Sequence, residues 1–295
     1  TYNLGVIQII IKNIAKVMEK TMKTSGAETL SISANIFVGQ TEAPILIRPY
    51  ISKMTNSELM TVMVGGFSTV AGSVMALYVT WLNNIPEIAG HLLAASVMSA
   101  PAALMVAKII YPETKSYQII NSNSIKLKSQ DNNLVDAIGR GATDGLKLAA
   151  NVAAMLIAFI SLVAMINFIL SLLGTSMQEM LGLLFKPLAW TMGIPWADAK
   201  IVGTLMGEKI VLTELIAFRD LSDYVSNNTI SERSVIIASY ALCGFANFGS
   251  IGIQLGGIGS MAPKRKKDLS KLVFKAMLGG AIASWLTASI VGILI

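Results

Sequence analysis

Two glutamates carry the clearest chemistry in this sequence. Glu42 stands in Gly39-Gln40-Thr41-Glu42-Ala43-Pro44, and Glu214 follows Leu212-Thr213. Each glutamate comes directly after a threonine, and an arginine lies a short way downstream of each, Arg48 and Arg219. The other polar groups that belong with them are the amides Gln40 and Asn247 and the hydroxyls Thr41 and Ser250. Together they give and take hydrogen bonds without presenting a cation. That set suits a neutral, polyhydroxylated ligand with a hydrogen-bonding edge. An anionic ligand would ask for an arginine at the same place. Simpler roles stay open: either glutamate could pair with its downstream arginine, and Asn247 could only cap a helix.

The surroundings decide between these readings. The chain has 295 residues, 54% of them hydrophobic and only 14% charged, with a net charge of +6. An average soluble domain carries about 25% charged residues. Residues 59–86, 88–107, 148–178, 234–263 and 276–295 contain no Asp, Glu, Lys or Arg. Each of these stretches is long enough to cross a bilayer core as a helix, which takes roughly 20 residues. The chain is therefore read as an all-α, multi-pass protein of a lipid bilayer. A carboxylate at the bilayer centre costs about 2.5 to 3.5 kcal/mol, so Glu42 and Glu214 are expected to have a role. The single cysteine, Cys243, excludes an internal disulfide, and the single histidine, His91, excludes paired-histidine metal motifs. Basic residues are not interleaved with aromatics on a soluble face, so nucleic acid is not an expected partner. Nothing points to an enzyme. The chain starts at Thr1 without a signal-peptide pattern and is read as a piece of a longer protein.

The pattern divides into six parts. Residues 1–23 form a basic amphipathic helix, with Lys12, Lys16, Lys20 and Lys23 on one face, expected to lie along the membrane surface. Residues 24–110 hold a re-entrant hairpin with its polar tip at Gly39 to Pro44, then two spanning helices joined by Asn83-Asn84-Ile85-Pro86. Residues 111–144 are a polar cytoplasmic loop, 145–173 a long spanning helix, and 174–197 an external interfacial segment. Residues 198–295 repeat the hairpin-and-two-helices plan, with Gly207-Glu208-Lys209 expected to interrupt the hairpin. The cluster Pro263-Lys264-Arg265-Lys266-Lys267 faces the cytoplasm by the positive-inside rule.

The two repeats share more than their order. Gly66-Phe67-Ser68-Thr69-Val70-Ala71-Gly72 aligns with Gly244-Phe245-Ala246-Asn247-Phe248-Gly249-Ser250, and each run interrupts a predicted span. Hairpin, broken helix and helix thus occur twice in opposite orientation. That is the mark of a secondary transporter with its site between the repeats near the midplane.

These residues carry a family resemblance. The Gly39 to Pro44 tip, the Gly66-Phe67 helix, Ala100-Pro101-Ala102 and Gly244-Phe245-Ala246-Asn247-Phe248 resemble the concentrative nucleoside transporter family, of bacterial type. The likeness runs over nearly the whole chain. It implies three further helices N-terminal to this chain, which build the scaffold of a homotrimer in the full-length protein. It also implies a location in the cell (inner) membrane and an elevator-type transport domain moving past helix 145–173. By resemblance, Gln40 and Thr41 face the nucleobase with Glu42 close by. Glu214, Asn247 and Ser250 hold the ribose, and Val74 and Phe245 pack against a nucleoside such as uridine. A sodium ion, the implied coupling ion, would be held by Asn35, Thr69 and the carbonyls of Val38 and Val70. The expected function is sodium-coupled nucleoside import. The alternatives are a carrier coupled to protons through Glu42 and a non-transporting membrane sensor or scaffold.

Overall fold

The computed structural model describes residues 6–114 and 134–295, and no strand occurs among the described residues. Helix α1 (Val6–Met22) buries Ile11, Ala15 and Met18 and packs on α2 (Gly26–Asn35), leaving Lys16 and Lys20 exposed. Helix α2 is the first arm of the first hairpin. Ser25 and Glu28 close a reciprocal capping box at its start, satisfying two backbone N–H groups that the helix leaves open. The returning arm is two short turns, α3 (Glu42–Ile45) and α4 (Arg48–Ile51), with Pro44 and Pro49 breaking its regularity.

A first interrupted helix follows. Its halves are α5 (Asn56–Ser68) and α6 (Gly72–Trp81), and α7 (Ile88–Ile110) runs back beside them. Thr55 and Glu58 make a second capping box at the start of α5. At the same end Lys108 Nζ lies 2.7 Å from Glu28 Oε2 and 3.1 Å from Ser57 Oγ, so one cation ties α2, α5 and α7 together.

Residues 115–133, most of the loop expected at 111–144, lie outside the described residues. Among the described residues, helix α8 (Leu134–Ser171) already covers residues 134–144, which the sequence assigns to the loop. Polar character alone does not stop a helix: Asp136 favours a helix start, and Gly139 and Gly141 cost only about 1 kcal/mol each. Helix α9 (Met177–Thr191) then packs along α10 (Ala199–Val211), the first arm of the second hairpin.

The second hairpin departs from the sequence expectation. Gly207, Glu208 and Lys209 do not interrupt it, because α10 runs through all three. Gly207 sits against Leu181 of α9, and the Lys209 ammonium finds protein partners, so the lysine does not force the helix to end. The break falls at Leu212 and Thr213, where the Thr213 hydroxyl accepts from Ile216 N–H and starts α11 (Glu214–Ser226).

The second interrupted helix has halves α12 (Glu232–Leu242) and α13 (Phe248–Met261), and α14 (Lys266–Leu294) closes the described chain. Asp198 joins the bases of α10 and α12 by accepting from the Ser231 and Ser234 hydroxyls and the Ser231 N–H. Burial works to raise this carboxyl, but the hydrogen bonds from Ser231 and Ser234 outweigh it and hold Asp198 below the usual aspartate range. Helix α14 packs against α5, α7 and α12, so it lies along both interrupted helices. Among the described residues, three segments are long and apolar enough to cross a membrane: Asn56–Trp81, Ile88–Ile110 and Pro263–Leu294. Leu93, Val97, Met105 and Ile109 remain exposed on α7, and Phe274, Leu278 and Ile282 on α14, apolar faces that fit contact with lipid.

The two breaks meet inside the bundle. Gly244, in the second break, has φ +139°, and a Cβ there would lie 2.8 Å from the Phe67 carbonyl oxygen. Only glycine fits both the backbone and the contact. Gly244→Ala is expected to cost about 1 to 3 kcal/mol in thermal unfolding of detergent-purified protein. Gly252→Ala, where a Cβ meets nothing within 4 Å, serves as the control. Equal melting temperatures for both variants would contradict the contact.

Candidate functional site

The residues singled out in the sequence converge where the two hairpins meet the second interrupted helix. Asn247 is extended at the N-cap of α13, and its Oδ1 accepts from the Ser250 N–H at 2.7 Å. This satisfies one N–H of the half-helix and fixes the amide so that Nδ2 donates to Glu214 Oε2 at 3.0 Å. Glu214 lies in the first turn of α11, where the positive end of the helix dipole favours its charge. From the first hairpin, Gln40 Nε2 donates to Ser250 Oγ at 3.1 Å. Gln40, Ser250, Asn247 and Glu214 are all buried. They form one continuous hydrogen-bonded chain from hairpin to helix break to hairpin.

Two members of this chain were missed by sequence reasoning. Tyr78 on α6 donates its hydroxyl to Glu214 Oε1 at 3.2 Å, while its ring stacks on Phe218 at 4.0 Å between centroids. Gln254 on α13 donates from Nε2 to Gln40 Oε1 at 3.2 Å and to the Met63 carbonyl at 3.0 Å. The absence of a side chain at Gly66 makes room, since a Cβ there would come within 2.7 Å of Gln254 Nε2. Gln254 did carry a signal, an amide inside the charge-free stretch 234–263 and on the helix that follows the break.

The remaining predicted ligand residues lie around the chain rather than in it. Thr41 is half-buried, with its methyl near Gly257 of α13. Val74 and Phe245 are half-buried and pack against the apolar core shared by α6, α7 and the second hairpin. Glu42 is exposed, its carboxylate folded over Gly39. Among the described residues it makes no ion pair with Arg48, and the partners of Glu214 are Tyr78 and Asn247 rather than Arg219.

A second polar group sits at the first break. The Asn35 side chain is fully buried, and neither its Oδ1 nor its Nδ2 has a protein partner. It lies beside Gly65, whose carbonyl accepts from the Thr69 hydroxyl at 3.2 Å. Among the described residues, no backbone N–H bonds the Val38 or Val70 carbonyl. A buried amide without partners is costly unless something else binds it. Neutral hard oxygens of this kind suit an alkali or alkaline-earth cation rather than a soft metal. No cluster of three or more His, Cys, Asp or Glu side chains able to hold a metal occurs among the described residues.

Comparison with known proteins identifies the family of the chain. Residues 91–292 match the family described as Na+ dependent nucleoside transporter C-terminus, and residues 1–85 match one described as nucleoside recognition. The chain is 44% identical over 315 residues to sodium/nucleoside cotransporter 1 of Mus musculus, covering 99% of this chain and 48% of that protein. It thus spans about half the length of the mammalian relatives it matches. It superposes on CNTnw in an inward-facing substrate-bound state with a TM-score of 0.89 at 43% identity, covering 99% of this chain and 70% of that one. A CNTnw variant in an outward-facing state gives 0.87 at 42%, with the same coverage.

Tyr78→Phe is expected to keep the ring stack and remove one donor from the buried Glu214 carboxylate. The expected loss of unfolding free energy is about 1.5 to 3 kcal/mol. Unchanged stability would show that Tyr78 does not hold Glu214.

Proposed function

The chain belongs to the family of Na+-dependent, concentrative nucleoside transporters, and we propose that its full-length protein imports nucleosides together with sodium. The observation that carries this reading is the buried chain Gln254–Gln40–Ser250–Asn247–Glu214–Tyr78, which joins both hairpins and contains no cation. Its amides, hydroxyls and carboxylate bond to one another, and only the buried Gln254 Oε1 in this chain of groups lacks a partner. A nucleoside offers a similar set of donors and acceptors and can take their place, so little polar burial is left uncompensated. Glu214, Asn247 and Ser250 are assigned to the ribose, where vicinal hydroxyls donate to the carboxylate. Gln40 and Thr41 are assigned to the edge of the base with Glu42 beside it, and Val74 and Phe245 to its faces.

Sodium is assigned to Asn35, Thr69 and the carbonyls of Val38 and Val70. The unpartnered Asn35 amide and the neutral oxygens around it support this assignment. Asn35 lies on the first arm of the hairpin whose tip supplies Gln40, so cation and nucleoside would both order the same tip. Moving one positive charge inward at roughly 100 mV gains about 2.3 kcal/mol. At tenfold per 1.4 kcal/mol, that sustains about a fiftyfold nucleoside gradient.

Transport would proceed by alternating access, with the hairpins and interrupted helices moving as a unit past α8 in an elevator-type motion. The compact packing of α5, α7, α12 and α14 supports motion as one body, and α8 packs against α9. The basic cluster at Lys264 to Lys267 is assigned to the cytoplasmic side of the cell membrane, and three copies of the full-length protein to the assembly.

Uptake of radiolabelled uridine into proteoliposomes holding the full-length protein tests the reading. Uptake should require an inward sodium gradient, and Glu214→Gln should abolish it in protein that still folds. Asn35→Ala combined with Thr69→Ala should raise the sodium concentration needed for half-maximal uptake by about tenfold or more, the loss of one to two ligand bonds. Uptake driven by protons alone would move coupling to Glu42. No uptake under either gradient, from folded protein, would overturn the nucleoside reading.

A further inference from the structure

The second hairpin holds a cation that the proposed transport site does not use. Lys209 on α10 is fully buried, yet its ammonium is in neither of the described ion pairs, Lys108–Glu28 and Arg265–Asp268. Instead Nζ donates to the Ala241 carbonyl and to Ser284 Oγ, both at 2.9 Å. The Ser284 hydroxyl passes its own hydrogen to the Ala281 carbonyl at 2.9 Å, so it receives from the lysine. Burying an ammonium without a contacting carboxylate is expensive. The compensation comes from where it lies. Ala241 is the penultimate residue of α12, and the last carbonyls of a helix lack partners within the helix and carry the negative end of its dipole.

The first repeat has the same feature with a different partner. Helix α5 also stops inside the bundle, and the first arm of its hairpin also ends against that stop. There the arm presents Asn35, a neutral amide with no protein partner, beside Gly65 near the end of α5. So one half-helix end is faced by an unpartnered neutral amide and the other by a lysine.

We propose that the Lys209 ammonium is a built-in cation, taking in the second repeat the place at the half-helix end that sodium takes in the first. It is a positioning residue: it holds the end of α12, and with it the Cys243–Asn247 turn from which Asn247 reaches Glu214. The second repeat therefore needs no ion from solution, and external sodium acts through the first hairpin. This inference rests on the sodium assignment made above.

The test uses the full-length protein in proteoliposomes, with Lys209→Met and Lys209→Ala. Lys209→Met fills nearly the same volume without charge. It should weaken uridine uptake by about ten- to a hundredfold, the loss of one to two bonds to a charged group. A lysine that served only to fill space would let Met keep full uptake, since replacing a buried charge with an apolar side chain is often neutral. Lys209→Ala leaves room for a small cation, so ethylammonium should restore part of its uptake while choline at equal concentration should not. If neither variant folds, the same comparison is made on the yield of folded Lys209→Ala purified in ethylammonium or choline. Wild-type uptake by Lys209→Met would overturn the proposal, and so would equal behaviour of Lys209→Ala in both salts. Sodium dependence of the unmodified protein, measured in parallel, separates this outcome from failure of the sodium assignment: the ethylammonium arm reads Lys209 whatever the sodium arm returns.

Discussion

A helix that stops in the middle of an apolar bundle leaves about four carbonyls and four N–H groups without partners in the helix. In lipid no water satisfies them, so the protein must. This chain accepts that cost twice, at residues 69–71 and 243–247, and much of its polar architecture answers it. Asn247 caps α13, Lys209 faces the end of α12, and the Thr69 hydroxyl bonds back to Gly65 at the end of α5. The two breaks lie against each other at Gly244 and Phe67, so the polar backbone is gathered into one region and sealed by both apolar cores.

That gathering is also what makes a site. Groups recruited to satisfy backbone have further lone pairs and hydrogens, and these are what a ligand meets. Asn247 shows the double use: its oxygen caps a helix while its nitrogen holds Glu214. Gln40 sits between Ser250 and Gln254 in the same way, taking a bond from one and giving one to the other. Because each hairpin tip abuts a break, movement of a tip changes the bonding of the half-helix beside it. In the proposed function, a cation at one break and a nucleoside beside the other would be linked through a few shared residues.

Much of this was legible in the sequence, for reasons that particular residues make plain. The charge-free stretches 59–86, 88–107 and 276–295 overlap helices long and apolar enough to cross a membrane, because lipid tolerates few charges, and the Gly39 to Pro44 tip marked a hairpin because those residues suit neither lipid nor a continuous helix. The residues Gln40, Glu214, Asn247 and Ser250 stood out as polar groups at the interruptions, and they come together in the structure. Val74 and Phe245 line the neighbouring core, while Glu42 stays outside the bonded chain. The unread part depends on distant partners. Tyr78 is an ordinary aromatic in an apolar helix until Glu214, 136 residues on, is placed beside it. In the sequence Lys209 reads as part of a helix interruption, because a charge in an apolar stretch ordinarily marks one. Ala241 and Ser284, far along the chain, make it a helical residue instead. The helical course of residues 134–144 in α8 was equally hidden, since polar residues favour a loop only where nothing else supports a helix.

The central claim is that a cation at the first break and a nucleoside between the hairpins stabilise the same arrangement. Calorimetric titration of uridine into detergent-purified full-length protein, in sodium and then in choline, measures it most directly. The account predicts tighter uridine binding in sodium and, by reciprocity, tighter sodium binding with uridine present, by the same factor. Equal uridine affinity in the two salts would contradict it.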